Sequence, residues 1–137
     1  MEEKIKPIKI IHIALCVGAA FAYYFFGDLQ TLDFLKIPKV DASSVPFLLM
    51  PLAAVLLGNL LYKQQLKNSD PTMSLEEKFP VYQSASIVRW ALLDGAAFFL
   101  LFVKREFILV GLLLIFYMAF LKPSVESMKR DFKAVGN

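Results

Sequence analysis

The sequence has few of the residues on which most enzymes depend. Its 137 residues include one cysteine, one histidine and one tryptophan. A single cysteine cannot form a disulfide within the chain, and a single histidine cannot supply a paired-histidine metal motif. The sequence also contains no glycine-rich phosphate loop, no nucleic-acid-binding motif and no serine or cysteine beside a base. We therefore predict no catalytic residue, no metal site, no cofactor and no nucleic acid partner.

Apolar residues are abundant instead. Hydrophobic residues make up 58% of the chain, 13 of its residues are Phe, and the mean hydropathy is +0.58. A soluble domain of this length could not bury so much apolar surface. Four runs are long enough, or nearly so, to cross a hydrocarbon layer of about 30 Å. The sequence thus predicts an all-α, multi-pass integral membrane protein: one domain with four transmembrane helices in an antiparallel bundle, at about 8–26, 45–62, 84–103 and 107–121, and an amphipathic cytoplasmic tail at 123–137.

The first apolar run has a second interpretation. Lys4, Lys6 and Lys9 precede it, and Ala20-Phe21-Ala22 resembles the cleavage site of a secretory signal. The run continues as far as residue 26, which favours a retained helix, and cleavage stays open as the alternative. The connection 27–44 mixes apolar and charged residues in a pattern that predicts a short helix at the membrane interface.

Lysine and arginine are distributed unequally between the connections. Ten lie before the first span, between the second and third, or after the fourth, whereas four lie in the other two connections. The positive-inside rule therefore predicts that both termini are cytoplasmic. The basic cytoplasmic segments are expected to contact anionic lipid headgroups.

Two connections carry local signals. The sequence Ser74-Leu75-Glu76-Glu77 predicts a capping box that starts a short turn of helix before the third span. Pro80 is then expected in the first turn of that span. The short polar segment 104–106 predicts a tight turn between the third and fourth spans.

Small residues recur one helical turn apart in three of the predicted spans. Such residues let helices approach closely where no hydrophobic effect drives their association. We expect these faces to pack the helices together, and the partners considered are a second copy of the chain or a membrane partner subunit. The residues are Ala14, Gly18 and Ala22 in the first span, Ala54 and Gly58 in the second, and Ala91 and Gly95 in the third.

Four polar residues fall inside the predicted spans: His12, Asn59, Arg89 and Asp94. A charged residue at the centre of a membrane helix costs about 2.5 kcal/mol or more, so each charge suggests a functional or structural role. By the predicted topology, all four lie in the cytoplasmic half and form one polar cluster. Arg89 and Asp94 are about 140° apart around their helix, so each needs a partner on another helix. His12 and Asn59 are the expected partners of Asp94.

The third span also carries a resemblance. The stretch 82–99, YQSASIVRWALLDGAAFF, resembles the core of an uncharacterised family of small bacterial four-helix membrane proteins. Within it, 91–98 is similar to the carboxylate-bearing helix of rotor-ring proteolipids, the c subunits of F-type ATP synthases. The resemblance implies a bacterial inner membrane and an ion-binding carboxylate at Asp94. The chain lacks the glycine-rich first helix and the polar loop of those proteolipids, and it has Arg89 in the same helix.

Three hypotheses for function follow. The first is a non-enzymatic assembly or scaffold subunit that packs through its small-residue faces. The second is a proton- or cation-coupled transporter or channel subunit in which Asp94 titrates. The third, an intramembrane enzyme, requires a cytoplasmic cavity that holds His12 and a nucleophile.

Overall fold

A computed structural model of the chain describes residues 2–27, 29 and 41–136. These residues form α-helices with short 3-10 segments and contain no strand, so the all-α prediction is confirmed. Most of the connection predicted to hold an interfacial helix, 27–44, lies outside the described residues. The helices are α1 (Glu2–Phe26), α2 (Val45–Lys67), α3 (Leu75–Val103), α4 (Ile108–Phe120) and α5 (Val125–Ala134).

Three of these helices, α1, α2 and α3, are long and apolar enough to cross a membrane. The fourth, α4, has 13 residues, which is a length of about 20 Å. It passes the same test only when it is combined with the 3-10 turn before it and with α5, and the chain bends by 97° between α4 and α5. The described residues therefore contain three candidate spans, or four if the bent pair counts as one. These helices indicate a membrane protein.

Helix α3 lies at the centre and contacts α1, α2 and α4. Residues three or four positions apart, such as Ser86, Trp90, Leu93, Ala97 and Leu100, are fully or almost fully buried along its inner face. Large apolar side chains on the outer faces of α1, α2, α3 and α4 are exposed, for example Phe102. A continuous apolar exterior of this kind suits hydrocarbon as the surrounding medium.

Contacts between helix ends define two ends of the molecule. At the tail end, Lys4 of α1 lies 4.0 Å from Glu76 of α3, and Tyr62 of α2 hydrogen-bonds to Asp131 of α5. At the hairpin end, Phe102 of α3 lies against Phe26 of α1, with ring centroids 5.7 Å apart. The start of α1, the end of α2 and the start of α3 thus lie together with α5 at the tail end.

Ser74 caps a helix, as predicted, but that helix is longer than expected. The hydroxyl of Ser74 accepts a hydrogen bond from the backbone N–H of Glu77 (3.2 Å), and it donates one to the Glu77 carboxylate (3.0 Å). From there α3 runs without a break to Val103, so Ser74 caps the third span itself and Pro80 is its sixth residue. Pro80 was predicted in the first turn, but it lies further inside the helix. The helix tolerates it there because Pro80 is exposed, so the backbone carbonyl of Glu76, which loses its hydrogen-bond partner, can be solvated.

A tight turn joins α3 to α4, as the short polar connection predicts. Lys104 leads into a 3-10 turn at Arg105–Phe107, where the backbone N–H of Phe107 donates to the Lys104 carbonyl (3.0 Å). Near this end, the hydroxyl of Tyr23 donates to the backbone carbonyl of Ala97. The Tyr23 ring also lies directly against Gly111, where an added Cβ would be 1.8 Å from the tyrosine oxygen. Tyr23 therefore joins α1, α3 and α4, and it requires glycine at position 111.

The predicted small-residue faces behave differently from one another. Ala54 and Gly58 are buried on α2, and an added Cβ at Gly58 would lie 3.4 Å from Cγ of Arg89 on α3. The expectation that the other faces pack helices within the chain is not met. Ala22 is half-buried, whereas Ala14, Gly18, Ala91 and Gly95 are exposed, and nothing lies within 4 Å of a Cβ added at Gly18 or Gly95. The reason is that α1 turns larger side chains inward: Ile5, Ile8, His12 and Tyr23.

Candidate functional site

Arg89 of α3 is held against the end of α2. Its guanidinium carbon lies 3.7 Å from the centroid of the Tyr62 ring, and its Nη1 is 3.5 Å from the Asn59 side-chain oxygen. A guanidinium over an aromatic face is attracted by the negative charge of that face. Among the described residues, no carboxylate lies within 4.0 Å of Arg89, so its positive charge is not neutralised by an ion pair.

Asn59 connects Arg89 to α4. Its side-chain Nδ2 donates a hydrogen bond of 2.9 Å to the hydroxyl of Tyr117, while its oxygen faces Arg89. Asn59 and Arg89 were both predicted as members of one polar cluster, and the structure does bring these two together. The asparagine therefore links α2, α3 and α4.

His12 of α1 has a hydrogen-bond partner of its own. It is buried, and its Nε2 is 2.8 Å from the backbone carbonyl of Met118 in α4. A carbonyl only accepts hydrogen bonds, so Nε2 carries a proton and donates it. The imidazole also packs on the indole of Trp90, with ring centroids 4.8 Å apart. His12 thus joins α1 to α4 and α3.

Asp94 is apart from the other three predicted residues. It is half-buried on the side of α3 that faces α1, near enough to Cys16 and Tyr23 of α1 for its charge to act on both side chains. In the described residues its Oδ1 is buried without a hydrogen-bond partner. The expected pairing of Asp94 with His12 or Asn59 is absent there, because both of those side chains are bonded elsewhere.

The tail forms a helix that folds back onto the tail end. Ser124 caps α5 by accepting a hydrogen bond from the backbone N–H of Ser127 (2.9 Å), and Met128 and Phe132 are buried. The Asp131 carboxylate accepts a hydrogen bond of 2.5 Å from the hydroxyl of Tyr62. The second oxygen of Asp131 lies 3.3 Å from Nε of Arg130. Apolar burial and one short hydrogen bond therefore fix α5 to the end of α2.

A cleft of about 540 Å³ opens at the tail end, between α1, α3 and the corner that joins α4 to α5. We refer to it as the basic cleft. Four of the residues that line it are permanent cations, and one is an acid. Its lining consists of Lys9, His12, Ile13, Tyr82, Arg89, Phe120, Leu121, Lys122, Pro123, Ser124, Ser127, Arg130 and Asp131.

Metal-binding geometry is absent from the described part of the chain. No group of three His, Cys, Asp or Glu side chains is placed there to hold a metal ion. The cleft contains His12 and two serines, but Ser124 donates to Ser127 (2.8 Å) and His12 donates to a backbone carbonyl. No hydrogen bond in the described residues joins the imidazole to a serine hydroxyl. The Nε2 of His12 lies 3.7 Å from Sγ of Cys16, one turn along α1, and Cys16 does not line the cleft.

No family model, curated protein or solved structure matches this chain. The resemblance of the third span to a small bacterial membrane protein family, and to rotor-ring proteolipids, therefore stays a prediction. The geometry described above is the basis for any function assigned to the chain.

Three residues that organise the site were not singled out from the sequence: Tyr62, Tyr117 and Asp131. The two tyrosines lie near the ends of apolar runs, where tyrosine is usually an interface anchor. One signal was available for Tyr62, because it follows Asn59 by three residues and so shares its helix face. Asp131 lies on a mostly basic helix outside the predicted spans, and nothing in the sequence around it indicates that it would bind Tyr62.

Proposed function

We propose that this chain spans the bacterial inner membrane four times as an antiparallel bundle, with α4 as a short fourth span and both termini in the cytoplasm. The tail end carries the start of α1, the connection from α2 to α3, and α5, which together hold most of the lysines and arginines outside the spans. That distribution supports a cytoplasmic tail end. The 97° bend before α5, with Lys129 and Arg130 exposed, suits a helix that lies along the inner membrane surface.

Within that membrane we infer a non-enzymatic role as a small assembly or scaffold subunit. One observation carries the proposal: Gly18 of α1 and Gly95 of α3 are exposed and have open space where a side chain would be. Ala14 and Ala91 extend each position into a stripe one helical turn long. Stripes of this kind favour close helix–helix contact in lipid. We propose that a second copy of this chain packs against these faces, because both copies then contribute a small-residue face to the contact.

Asp94 supports the same proposal. Its Oδ1 is buried without a partner in the described residues, and an unsatisfied polar group at membrane depth is costly. Because Asp94 is half-buried, a donor from a neighbouring copy could bind the more exposed part of the carboxylate and lower that cost. Arg89 contributes differently, because its contacts with Tyr62 and Asn59 hold the tail end of each copy in one arrangement.

The oligomeric mass of the purified protein tests this proposal. We expect the protein in mild detergent to have the mass of a dimer or larger assembly by light scattering. Gly18→Leu and Gly95→Leu should shift it toward the monomer with unchanged helix content, because no described atom of the chain lies within 4 Å of a Cβ added at either position. Ala20→Leu, at an exposed α1 position outside the stripe, is the matched control and should leave the mass unchanged. A wild-type protein that is monomeric in both detergent and lipid discs would refute the proposal.

The unpartnered oxygen of Asp94 also favours a second candidate, a proton-coupled transporter or channel subunit. A proton suits this site better than a metal cation, because no cluster of ligating side chains surrounds Asp94 in the described residues. A carbodiimide that reacts with protonated carboxyls distinguishes the two candidates. Labelling of Asp94 that declines between pH 5 and pH 9 would favour proton coupling. An unlabelled Asp94, together with dissociation of the assembly by Asp94→Leu, would favour the assembly role.

A further inference from the structure

We propose that the basic cleft binds the phosphate group of an anionic amphiphile, whose apolar chain leaves the cleft past Ile13 and Phe120. This site is independent of the proposed assembly faces, because the residues that form it lie at the tail end of the molecule. Charge, donor geometry and the apolar rim of the cleft each support the proposal.

Positive charge in the cleft exceeds the acid available to neutralise it. Lys9, Arg89, Lys122 and Arg130 line the cleft, and Asp131 is the one acidic residue of the lining. The Asp131 carboxylate is already shared between the Tyr62 hydroxyl and Arg130. In the described part of the chain neither Arg89 nor Lys122 lies within 4.0 Å of a carboxylate. An anion in the cleft would supply the missing negative charge.

The side chain of Arg89 is preorganised to bind such an anion. Its guanidinium carbon lies over the Tyr62 ring, 3.7 Å from the ring centroid, and its Nε is buried without a hydrogen-bond partner in the described residues. A guanidinium held in one plane offers two parallel N–H groups, which match two oxygens of a phosphate. Because Tyr62 and Asn59 already restrict this side chain, binding would require little further ordering.

The α5 end of the cleft adds a neutral donor. Ser124 and Ser127 line the cleft where α5 begins, and the hydroxyl of Ser124 already donates to Ser127, so the Ser127 hydroxyl supplies the donor. The first turn of a helix carries partial positive charge and unpaired N–H groups, so it adds to the attraction of an anion. Arg89 and the start of α5 together place charge and a hydroxyl donor around one cavity.

The rim of the cleft indicates an amphiphile instead of free phosphate. Ile13 and Phe120 line the same cleft, and they are 59% and 85% exposed. The volume of about 540 Å³ falls in the range of about 300–1,000 Å³ that is typical of small-molecule sites, and it exceeds the needs of a phosphate alone. A phospholipid headgroup would fill the polar part, and its acyl chain would cover the two exposed side chains.

Native mass spectrometry of the full chain, released from detergent with defined lipids, tests the site. We expect one phosphatidic acid or phosphatidylglycerol molecule to stay bound per chain, and phosphatidylcholine to bind at least about tenfold more weakly because its headgroup has no net charge. Lys122→Gln should weaken phosphatidic acid binding about tenfold, since a lost charge-assisted hydrogen bond costs about 1.5–3 kcal/mol and 1.4 kcal/mol is a factor of ten. Arg89→Gln should weaken it at least as much. Arg89→Lys should recover part of the loss.

Matched controls separate a built site from general attraction to a basic surface. Lys129→Gln removes an exposed lysine that does not line the cleft, and it should leave the affinity unchanged. Equal losses from Lys122→Gln and Lys129→Gln would overturn the proposal, because binding would then be diffuse. Inorganic phosphate is the soluble probe: if it competes with phosphatidic acid at equal concentration, the amphiphile is excluded as the preferred ligand. Retained binding in the folded Arg89→Gln and Lys122→Gln proteins would also overturn the proposal.

Discussion

The central carbon of the Arg89 guanidinium lies over the Tyr62 ring, 3.7 Å from the ring centroid. The hydroxyl of the same tyrosine donates to Asp131 in α5. One side chain of α2 therefore contacts the charged residue of the central span with its face and the tail helix with its edge. This arrangement connects the interior of the membrane domain to its C-terminal helix, and it makes the hydroxyl and the ring of Tyr62 separately testable.

Tyr62→Phe removes the hydroxyl and keeps the ring. We expect α5 to open more readily, by about 1–3 kcal/mol, because the Asp131 carboxylate loses a donor while it is partly buried. Hydrogen exchange should increase across α5 and stay unchanged in the middle of α3. Tyr24→Phe makes the same chemical change at an exposed tyrosine and should have no effect. Unchanged exchange in α5 of Tyr62→Phe would show that the hydrogen bond does not hold the tail.

Gly111→Ala is expected to destabilise the fold. The new methyl would overlap the Tyr23 side chain, whose oxygen would lie 1.8 Å away. Overpacking of this kind typically costs about 1–3 kcal/mol. Thermal unfolding in detergent should therefore begin at a lower temperature, and a second change, Tyr23→Phe, should recover part of the loss. Ala20→Val is the control, because it adds bulk at an exposed α1 position outside the proposed assembly face, and it should not lower the unfolding temperature.

Ser74→Ala tests the start of α3. The hydroxyl of Ser74 satisfies the backbone N–H of Glu77, and loss of such a cap costs about 1 kcal/mol. We expect faster hydrogen exchange in the first turn of α3 and no change beyond Tyr82. Ser84→Ala, at an exposed position in the same helix, should leave that first turn unaffected. Equal exchange in the two variants would mean that the cap contributes nothing to the helix start.

The apolar runs predicted the existence of the long helices better than their ends. Helix α3 begins at Leu75 instead of near residue 84, and α1 begins at Glu2 instead of near residue 8. Hydropathy detects the part of a helix that suits hydrocarbon, whereas polar turns continue the helix beyond that layer. The Ser74 cap was visible in the sequence, but the distance over which α3 would extend from it was not.

The site was predicted in part. Depth along the spans suggested that Asn59 and Arg89 could meet, and they do. The same argument grouped Asp94 with them, because depth along a span contains no information on which face of each helix turns inward. His12 lines the basic cleft together with Arg89, although its own hydrogen bond is made to α4. Similarly, the four-residue spacing of small residues on α1 and on α3 showed that each helix has a small-residue face, which includes Gly18 on α1 and Gly95 on α3. What such a face contacts depends on how the helix is rotated about its axis, and the spacing does not give that rotation. The role of Tyr62 required both the α2–α3 contact and the position of α5.

The proposed assembly through α1 and α3 is tested most directly by cysteine crosslinking in native membranes. In a Cys16→Ala background, which removes the one natural cysteine, Gly18→Cys and Gly95→Cys place a thiol in open space on each stripe. Ala20→Cys places a thiol at an exposed α1 position outside the stripe and is the control. We expect mild oxidation to give a disulfide-linked dimer with at least one of the two stripe cysteines and not with the control, because such a bond needs Cα atoms within about 7 Å. Monomer with both stripe cysteines, or an equal yield from all three positions, would contradict the account.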